Sequence, residues 1–427
     1  MRILYSLVWW LILPLALFRL WRRGVKEPGY RRHIAERLGS FPPPTIAPGC
    51  LWVHAVSVGE TRAAEPLVNA LLAAWPDKDI LLTCMTPAGR ATGHELFGDN
   101  PRIMQAYLPY DTGFMMRCLI RHFRPRICIL METEVWPNLI AACKAFRIPV
   151  ALVNARLSER SLRKGKRLPV LIQEAADGIS CVAAQTETDA KRLHAFGSRQ
   201  VSVVGSVKFD AAPPEEMIRK GQRLRACIGQ RPVLICASTR DGEESLILDA
   251  LPGLAPTNTL LLIVPRHPRR FDEVADLIAD RGLKMARRSE LPEDLMLAYP
   301  LLPDIQVLLG DSMGEMFAYY AASDLAFIGG SLKPLGGQNL IEACALGVPV
   351  IVGTHTFNFE AITEDAVAEE AAIRVHSAAG MIREAGRLLN HPEERHRMGE
   401  KARQFALRQR GATERTLALL RPLLAYD

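Results

Sequence analysis

Charged side chains stand directly after short apolar runs in this 427-residue chain. Glu60 follows the run that ends at His54, and the small residues Ala-Val-Ser-Val-Gly lie between them. A carboxylate held at the end of a strand can take a proton from a bound hydroxyl group when its surroundings keep it basic. Alternatively, Glu60 only stabilises the first turn of a helix, where the helix dipole favours an acid. The residues around Glu60 leave both interpretations open.

Two more apolar runs in the first half end in groups that suit the same chemistry. Glu132 and Glu134 follow the run Ile127–Met131, and Lys208 follows the run Val201–Val204. We expect one of the two carboxylates to orient a reacting group and the other to be structural. A lysine at a strand end can stabilise developing negative charge, although it is also typical of an ordinary surface.

A glycine-rich segment in the second half predicts a phosphate-binding loop. Gly329–Gly337 contains two Gly-Gly pairs, and Asn339 is expected to begin a helix that continues through Leu340, Ile341 and Glu342. Backbone N–H groups at such a helix start attract phosphate, and Glu342 is placed to accept hydrogen bonds from ribose hydroxyls. Asn339 and Glu342 also fit a simple capping box, but a cap needs no paired glycines. The pattern therefore favours the ligand-binding interpretation.

Two other turns are expected to border the same ligand. Arg266 and His267 end the apolar run before them, and arginine suits charge-assisted contact with phosphate. Met313, Gly314 and Glu315 form a second turn that follows an apolar run. The alternatives are a solvated loop at Arg266 and a plain helix start at Glu315.

Alternation of apolar runs with helix-like segments indicates an α/β fold with parallel sheets covered by helices. The runs expected to form strands are Leu51–Val56, Ile80–Thr83, Ile127–Met131, Val150–Val153, Gly178–Ala183, Val201–Val204, Val233–Ala237, Thr259–Val264, Val307–Leu309, Leu325–Ile328 and Val348–Val352. A proline-containing break near residue 212 predicts two Rossmann-like domains, 23–211 and 212–427, that face a central cleft. The terminal helices, from Ala378 to Leu424, are expected to pack back on the first domain.

The composition and the motifs of the chain argue against several classes of protein. Hydrophobic residues make up 49% of the chain, which is normal for a globular protein. Lys and Arg outnumber Asp and Glu by 53 to 46, an excess that suits an anionic partner but is no reason to expect a nucleic acid polymer. The nucleotide-binding motifs Gly-x-Gly-x-x-Gly and Gly-x-x-x-x-Gly-Lys are missing after the first strands. Nine cysteines without a Cys-x-x-Cys pair argue against a zinc site or a disulfide framework, and we expect neither metal nor cofactor.

Residues 1–22 form a separate N-terminal segment. Leu4–Phe18 is apolar except for Ser6 and is flanked by arginines. We expect an uncleaved membrane anchor, short-spanning or embedded in one leaflet, with the rest of the chain cytoplasmic; a buried core helix is the alternative. A basic cluster is either a solvated helix face or a contact for anionic lipid; it comprises Arg156, Arg160, Arg163, Lys164, Lys166 and Arg167.

Together, the anchor and five segments resemble the bacterial 3-deoxy-D-manno-octulosonic acid (Kdo) transferases of lipid A biosynthesis, glycosyltransferase family 30. The segments are His54–Glu60, Met131–Asn138, Gly205–Asp210, Val264–Pro268 and Gly329–Glu342. The resemblance implies a GT-B fold, with an acceptor-binding N-terminal domain and a donor-binding C-terminal domain. It also implies transfer of Kdo from CMP-Kdo to the 6′-hydroxyl of lipid IVA, a tetraacylated, phosphorylated glucosamine disaccharide. The transfer would occur with inversion and without metal, at the cytoplasmic face of the inner membrane.

The resemblance further implies roles for individual residues. Glu60 would be the general base, and Glu132 and Lys208 would stabilise the transition state. CMP would be held by Arg266, His267, Met313, Gly314, Glu315, Asn339, Leu340, Ile341 and Glu342. Another nucleotide-sugar enzyme of this fold, such as a lipid A disaccharide synthase or an epimerase, is one alternative. A membrane-tethered, non-catalytic binder of anionic lipid is the other.

Overall fold

The chain folds into two compact units, Met1–Ala211 with Gln409–Asp427 and Ala212–Arg408. A computed structural model describes residues 1–165, 168–210, 213–291 and 300–425. Within the described residues, each unit contains one seven-stranded sheet whose paired strands are all parallel. The two sheets confirm the predicted α/β class.

The first sheet has the strand order β3-β2-β1-β4-β5-β6-β7. Its strands are β1 (Leu51–His54), β2 (Ile80–Cys84), β3 (Ile103–Tyr107), β4 (Ile127–Met131), β5 (Val150–Ala155), β6 (Cys181–Ala184) and β7 (Val201–Val203). The inner strands are buried on both faces, which explains their continuous apolar sequences. Strand β1 ends at His54, before the predicted end at Val56, because helix formation starts at Val58.

Helices cover both faces of the first sheet. They are α1 (Arg2–Lys26), α2 (Ile34–Arg37), α3 (Val58–Ala74), α4 (Pro87–Phe97), α5 (Gly113–Phe123), α6 (Pro137–Ala145), α7 (Glu159–Gly165), α8 (Pro169–Ala176) and α9 (Glu187–Ala195). Two buried apolar clusters lie between the helices and the sheet, one of them around Trp52 and the other around Leu67. These clusters fix the strand ends from which the predicted site residues project.

The second sheet has the strand order β10-β11-β9-β8-β12-β13-β14. Its strands are β8 (Val233–Thr239), β9 (Leu260–Pro265), β10 (Met285–Arg287), β11 (Val307–Leu309), β12 (Leu325–Ile328), β13 (Val350–Val352) and β14 (Ala372–Arg374). The described helices of this unit are α10 (Glu215–Ile228), α11 (Glu243–Ala250), α12 (Phe271–Ala279), α13 (Met316–Ala321), α14 (Ile341–Ala345), α15 (Glu360–Ala368), α16 (Ala378–Asn390) and α17 (Pro392–Gln409). The predicted helical stretch after Ala378 is thus divided, with breaks before Pro392 and at Gly411.

A last helix, α18 (Ala412–Leu424), belongs to the first unit. The Asp210 carboxylate accepts hydrogen bonds from the backbone N–H groups of Gly411 and Thr413. Leu417 and Leu420 are buried in the same apolar cluster as Leu67. The first unit is therefore built from two segments that lie far apart in the sequence.

Helix α1 is long and apolar enough to cross a membrane, judged by length and composition alone. One side of it packs against the first unit, where Leu13 is buried with Tyr110 and Met115. The other side is open, and Ile3 and Leu11 are 80% and 79% exposed. The helix is thus neither a buried core helix nor detached from the domain.

Candidate active site

Glu60 lies in the first turn of α3, where its side chain folds back over the helix start. The backbone N–H of Val56 donates to Glu60 Oε2 at 2.8 Å, and Ser57 Oγ donates to Glu60 Oε1 at 3.0 Å. Ser57 is also the N-cap, and its Oγ accepts from the Glu60 N–H at 3.4 Å. These contacts resemble a capping box, with the carboxylate bonded to the N–H of the residue before the N-cap. The structure thus contains the local contacts of the alternative interpretation. A capping role does not exclude a chemical one, because the carboxylate keeps further acceptor capacity.

The pKa of Glu60 is raised to about 7, mainly by burial and also by the carboxylates of Glu134 and Glu132, while hydrogen bonds from Val56 and Ser57 oppose the shift. A carboxyl group whose pKa lies near the working pH is suited to accept a proton in a reaction. An exposed carboxylate that only capped a helix would have no such shift. The electrostatics of this position therefore support a chemical role for Glu60.

Glu132 and Lys208 form an ion pair beside Glu60. Lys208 Nζ lies 2.6 Å from Glu132 Oε1, and both side chains are largely buried. Glu132 follows β4 directly and has a left-handed backbone with φ +57°, a conformation that costs free energy for a residue other than glycine. Lys208 lies in a short 3-10 helix, Val207–Phe209, after β7. The charge of Glu132 also acts on Glu60, and α3 contacts the helix Val207–Phe209, so the three residues predicted to be catalytic lie in one region of the first unit.

Glu134 is the second carboxylate after β4. It accepts a hydrogen bond from Trp136 Nε1 at 2.8 Å, and burial raises its pKa. Its negative charge acts on Glu60, as the pKa of Glu60 shows. The hydrogen bond thus holds Glu134 to Trp136, and the negative charge of Glu134 contributes to the electrostatic environment of Glu60.

Asn154 supports the turn beside the Glu132–Lys208 ion pair, and the sequence did not predict this role. It lies near the end of β5, is fully buried and has φ +51°. Its Oδ1 accepts hydrogen bonds from Ser206 Oγ at 3.1 Å and from the Val207 N–H at 3.3 Å. Asn154 thereby fixes the turn that carries Lys208. In the sequence, this role is indicated only by the presence of an asparagine within an otherwise apolar run.

In the second unit, the glycine-rich segment after β12 is an irregular loop in close contact with its neighbours. Gly330, Gly336 and Gly337 have φ values of +71°, +94° and +74°, which favour glycine. A Cβ atom at Gly329 would lie 2.6 Å from the backbone of Ser238 and Thr239. The backbone conformation and the close packing of the loop therefore require glycine at these positions.

The predicted helix start at Asn339 is wrong, since α14 begins at Ile341 and has only five residues. Asn339 Oδ1 accepts from the Ile341 N–H at 3.0 Å, and Asn339 Nδ2 donates to Glu342 Oε1 at 3.2 Å. The side chains of Leu340 and Ile341 are buried, so only their backbone is offered to a ligand. Burial raises the pKa of Glu342, whereas the hydrogen bond from Asn339 and the positive charge of Arg266 lower it.

Positive charge is concentrated after β9. The side chain of Arg266 is exposed, while its N–H donates to the Thr239 carbonyl at 3.0 Å. Burial lowers the pKa of His267, and nearby arginines, including Arg240 and Arg266, lower it further. The arginines around His267 would attract a phosphate ligand.

The turn at Met313–Glu315 offers mainly backbone to a ligand. Gly314 has φ +79°, and Met313 is exposed. The Glu315 carboxylate already contacts Arg288 Nε at 3.1 Å and accepts from Ser312 Oγ at 2.7 Å. Helix α13 begins only at Met316, so these residues form a turn as predicted.

Two further features bear on the expected chemistry. Among the described residues, which include all nine cysteines, no disulfide is formed, and eight of the nine side chains are buried. In the part of the chain that the structure describes, no three His, Cys, Asp or Glu side chains form a group that could hold a metal ion.

Comparison with known proteins identifies the family. Residues 32–211 match the family model described as 3-deoxy-D-manno-octulosonic-acid transferase (kdotransferase), and residues 260–405 match glycosyl transferases group 1. The 3-deoxy-D-manno-octulosonic acid transferase of Bordetella pertussis is 46% identical over 95% of this chain and 96% of its own length. The corresponding Haemophilus influenzae transferase is 39% identical over 99% of both chains.

Among solved structures, the UDP-GlcNAc 2-epimerase of Neisseria meningitidis matches with a TM-score of 0.60 at 16% identity. The match covers 87% of this chain and 99% of the epimerase, and it supports the GT-B fold alone. The two close transferase relatives, in contrast, share both sequence and nearly full length. The chain therefore belongs to the 3-deoxy-D-manno-octulosonic acid (Kdo) transferase family.

Proposed function

We propose that this chain transfers Kdo from CMP-Kdo to the 6′-hydroxyl of lipid IVA with inversion, and that Glu60 is the general base. The observation that carries the proposal is the position of Glu60. It is a half-buried carboxyl group with a pKa near 7, beside the Glu132–Lys208 ion pair. The Kdo transferase relatives support the sugar that is transferred.

In the proposed reaction, Glu60 takes the proton of the acceptor hydroxyl while the hydroxyl oxygen attacks the anomeric carbon of Kdo. The new C–O bond forms opposite the C–O bond to the CMP phosphate, which breaks and leaves its electron pair on the phosphate. The configuration at the anomeric carbon is therefore inverted. Lys208 stabilises developing negative charge, and Glu132 both holds Lys208 and faces the positive charge of the reacting sugar.

We assign the donor to the second unit. Arg266 suits the CMP phosphate, His267 lies next to it, and the glycines after β12 allow a ligand to approach the backbone closely. Glu342, held by Asn339, is suited to accept hydrogen bonds from the ribose hydroxyls. The turn Met313–Glu315 would contribute backbone groups.

Helix α1 is proposed to lie in one leaflet at the cytoplasmic face of the inner membrane. Its contacts with the first unit support this arrangement: Ser6 Oγ donates to Asn138 Oδ1 at 3.1 Å, and the rings of Trp9 and Tyr110 are 5.8 Å apart. A helix held along the domain presents its open apolar side to lipid.

The basic cluster after β5 is proposed to contact the same anionic surface. Arg160 and Arg163 on α7 are exposed, as a contact with lipid headgroups requires. Lys166 and Arg167 lie outside the described residues.

The direct test is incubation of the purified protein with CMP-Kdo and lipid IVA, followed by mass analysis of the lipid. A mass increase of one or more Kdo residues is expected, and wild-type protein that leaves the lipid unchanged contradicts the proposal. A parallel titration should show binding of CMP and not of UDP. Preference for UDP would instead favour another nucleotide-sugar enzyme of the same fold.

A further inference from the structure

Glu243 is a fully buried carboxylate in the second unit that accepts three backbone hydrogen bonds. Its Oε2 accepts from the Gly330 N–H at 2.6 Å and from the Arg240 N–H at 2.9 Å. Its Oε1 accepts from the Leu332 N–H at 2.9 Å. One side chain at the start of α11 thus holds both the loop after β8 and the glycine-rich loop after β12.

Glu244, the next residue, is also fully buried and holds a different pair of groups. Its Oε1 accepts from Thr239 Oγ1 at 2.8 Å and from Arg270 Nη1 at 2.8 Å. Arg270 ends the loop that begins with Arg266 and His267, and it is itself buried. Glu244 therefore connects the loop after β8 with the loop after β9.

The two carboxylates together fix three loops at one edge of the sheet. Strands β9, β8 and β12 are adjacent in that order, so their carboxyl-end loops lie side by side. The loop after β9 carries Arg266 and His267, and the loop after β12 leads to Asn339 and Glu342.

Neither carboxylate is required by the fold class alone. Burying a carboxylate costs free energy unless hydrogen bonds or a cation compensate it. Here the compensation comes from loop N–H groups and from Arg270, and charge-assisted hydrogen bonds of this kind are stronger than neutral ones. The stabilisation is thus directed at the loops after β8, β9 and β12.

We infer that Glu243 and Glu244 are positioning residues for the donor nucleotide: Glu243 fixes the glycine-rich loop, and Glu244 fixes the loop of Arg266 and His267. The inference rests on the proposed assignment of CMP to the second unit. It adds two residues that do not themselves contact the donor but set where its ligands lie.

The test compares Glu243→Gln and Glu244→Gln with Asp249→Asn. Asp249 is on the same helix but is 61% exposed and pairs with Arg281 at 2.7 Å, so its variant controls for loss of a carboxylate from α11. CMP binding is measured by calorimetry, the KM values for CMP-Kdo and lipid IVA by initial rates, and folding by Tm. Loss of a charge-assisted hydrogen bond predicts a rise of about tenfold or more in the CMP Kd and in the donor KM for both Gln variants. The acceptor KM should be unchanged, and Asp249→Asn should match the wild type.

A second measurement separates positioning from stability. Arg266→Ala should weaken CMP binding strongly in the wild type and in Glu243→Gln, but much less in Glu244→Gln, where the Arg266 loop is already displaced. Equal effects of Arg266→Ala in all three backgrounds overturn the assignment of Glu244. If a Gln variant does not fold, Glu243→Asp and Thr239→Val make milder changes to the same contacts.

The outcomes distinguish this inference from the proposed function. Wild-type protein that does not bind CMP overturns both. Wild-type protein that binds CMP, together with Gln variants that bind it equally tightly, overturns the inference alone. Gln variants with a lowered Tm and an unchanged CMP Kd show that the two carboxylates only stabilise the fold, which also overturns it.

Discussion

Replacing Glu60 by Gln tests the proposed base with little disturbance of the fold. The amide oxygen of Gln can still accept from the Val56 N–H, and the amide nitrogen can donate to Ser57 Oγ, so the capping contacts are retained. What the substitution removes is the ability to take a proton. We therefore expect the free energy of unfolding to change by less than about 1 kcal/mol.

The size of the kinetic effect follows from the role assigned to Glu60. General base catalysis contributes about 10²–10⁴-fold to a rate, so kcat should fall by about that factor. Because the base must be ionised and its pKa is about 7, wild-type kcat/KM should decrease by about tenfold per pH unit below pH 7 and level off above it. CMP binding should be unaffected.

The assay measures kcat/KM for Kdo transfer from pH 5 to pH 9 in the wild type, in Glu60→Gln and in Glu134→Gln. Glu134→Gln is the matched control, because Gln still accepts from Trp136 Nε1 while the negative charge that raises the pKa of Glu60 is lost. Its acidic limb should therefore move to lower pH without a large loss of maximal rate. A Glu60→Gln enzyme that keeps most of its activity at pH 8, with the same acidic limb as the wild type, would refute the reasoning.

Three other predictions concern different parts of the first unit. Lys208→Met should lower kcat by roughly 10²-fold by removing the cation paired with Glu132, with an unchanged CMP Kd in calorimetry; an unchanged kcat contradicts this role. Burial lowers the pKa of His54 to about 4. Since the unfolded state binds the proton more tightly, this residue should cost about 2 kcal/mol of stability as pH falls from 6.5 to 5. Urea unfolding should show that loss in the wild type and not in His54→Gln, and parallel pH curves contradict it. Deleting residues 1–21 should weaken sedimentation with anionic vesicles more than turnover of detergent-solubilised acceptor, and equal sedimentation of the truncated protein argues against the anchor.

The sequence predicted the inner strands and the edge strand β7, but it did not predict the other three edge strands. Strands such as β4 and β12 are buried on both faces, so their sequences are continuous apolar runs with clear ends. Strands β3, β10 and β14 lie at sheet edges and are only partly buried. Polar residues therefore interrupt the apolar pattern of these three strands, and no continuous apolar run predicts them.

In the candidate site, too, features that depend on sequence neighbours could be predicted, whereas features that depend on distant residues could not. Glu60 was identified because Ser57 and the preceding strand are its sequence neighbours, and those neighbours define its local geometry. The role of Glu243 was not predicted, because it depends on a hydrogen bond from the Gly330 N–H. Gly330 is 87 positions away in the sequence. The contact of Asn154 with Ser206 spans 52 positions. Such pairings follow from strand order, which no local pattern in one sequence encodes.

Because α18 belongs to the first unit, this unit can be completed only at the end of synthesis. The ribosome makes residues 1–211 first, but the partners of Asp210 and part of the apolar cluster around Leu67 arrive only with residues 409–427. Until then, the first unit has an unfilled apolar surface while the whole of residues 212–408 is translated. A fragment that ends at residue 211 should therefore aggregate, and addition of a peptide covering 409–427 should restore its solubility. The first unit thus becomes complete only after the second unit has been synthesised.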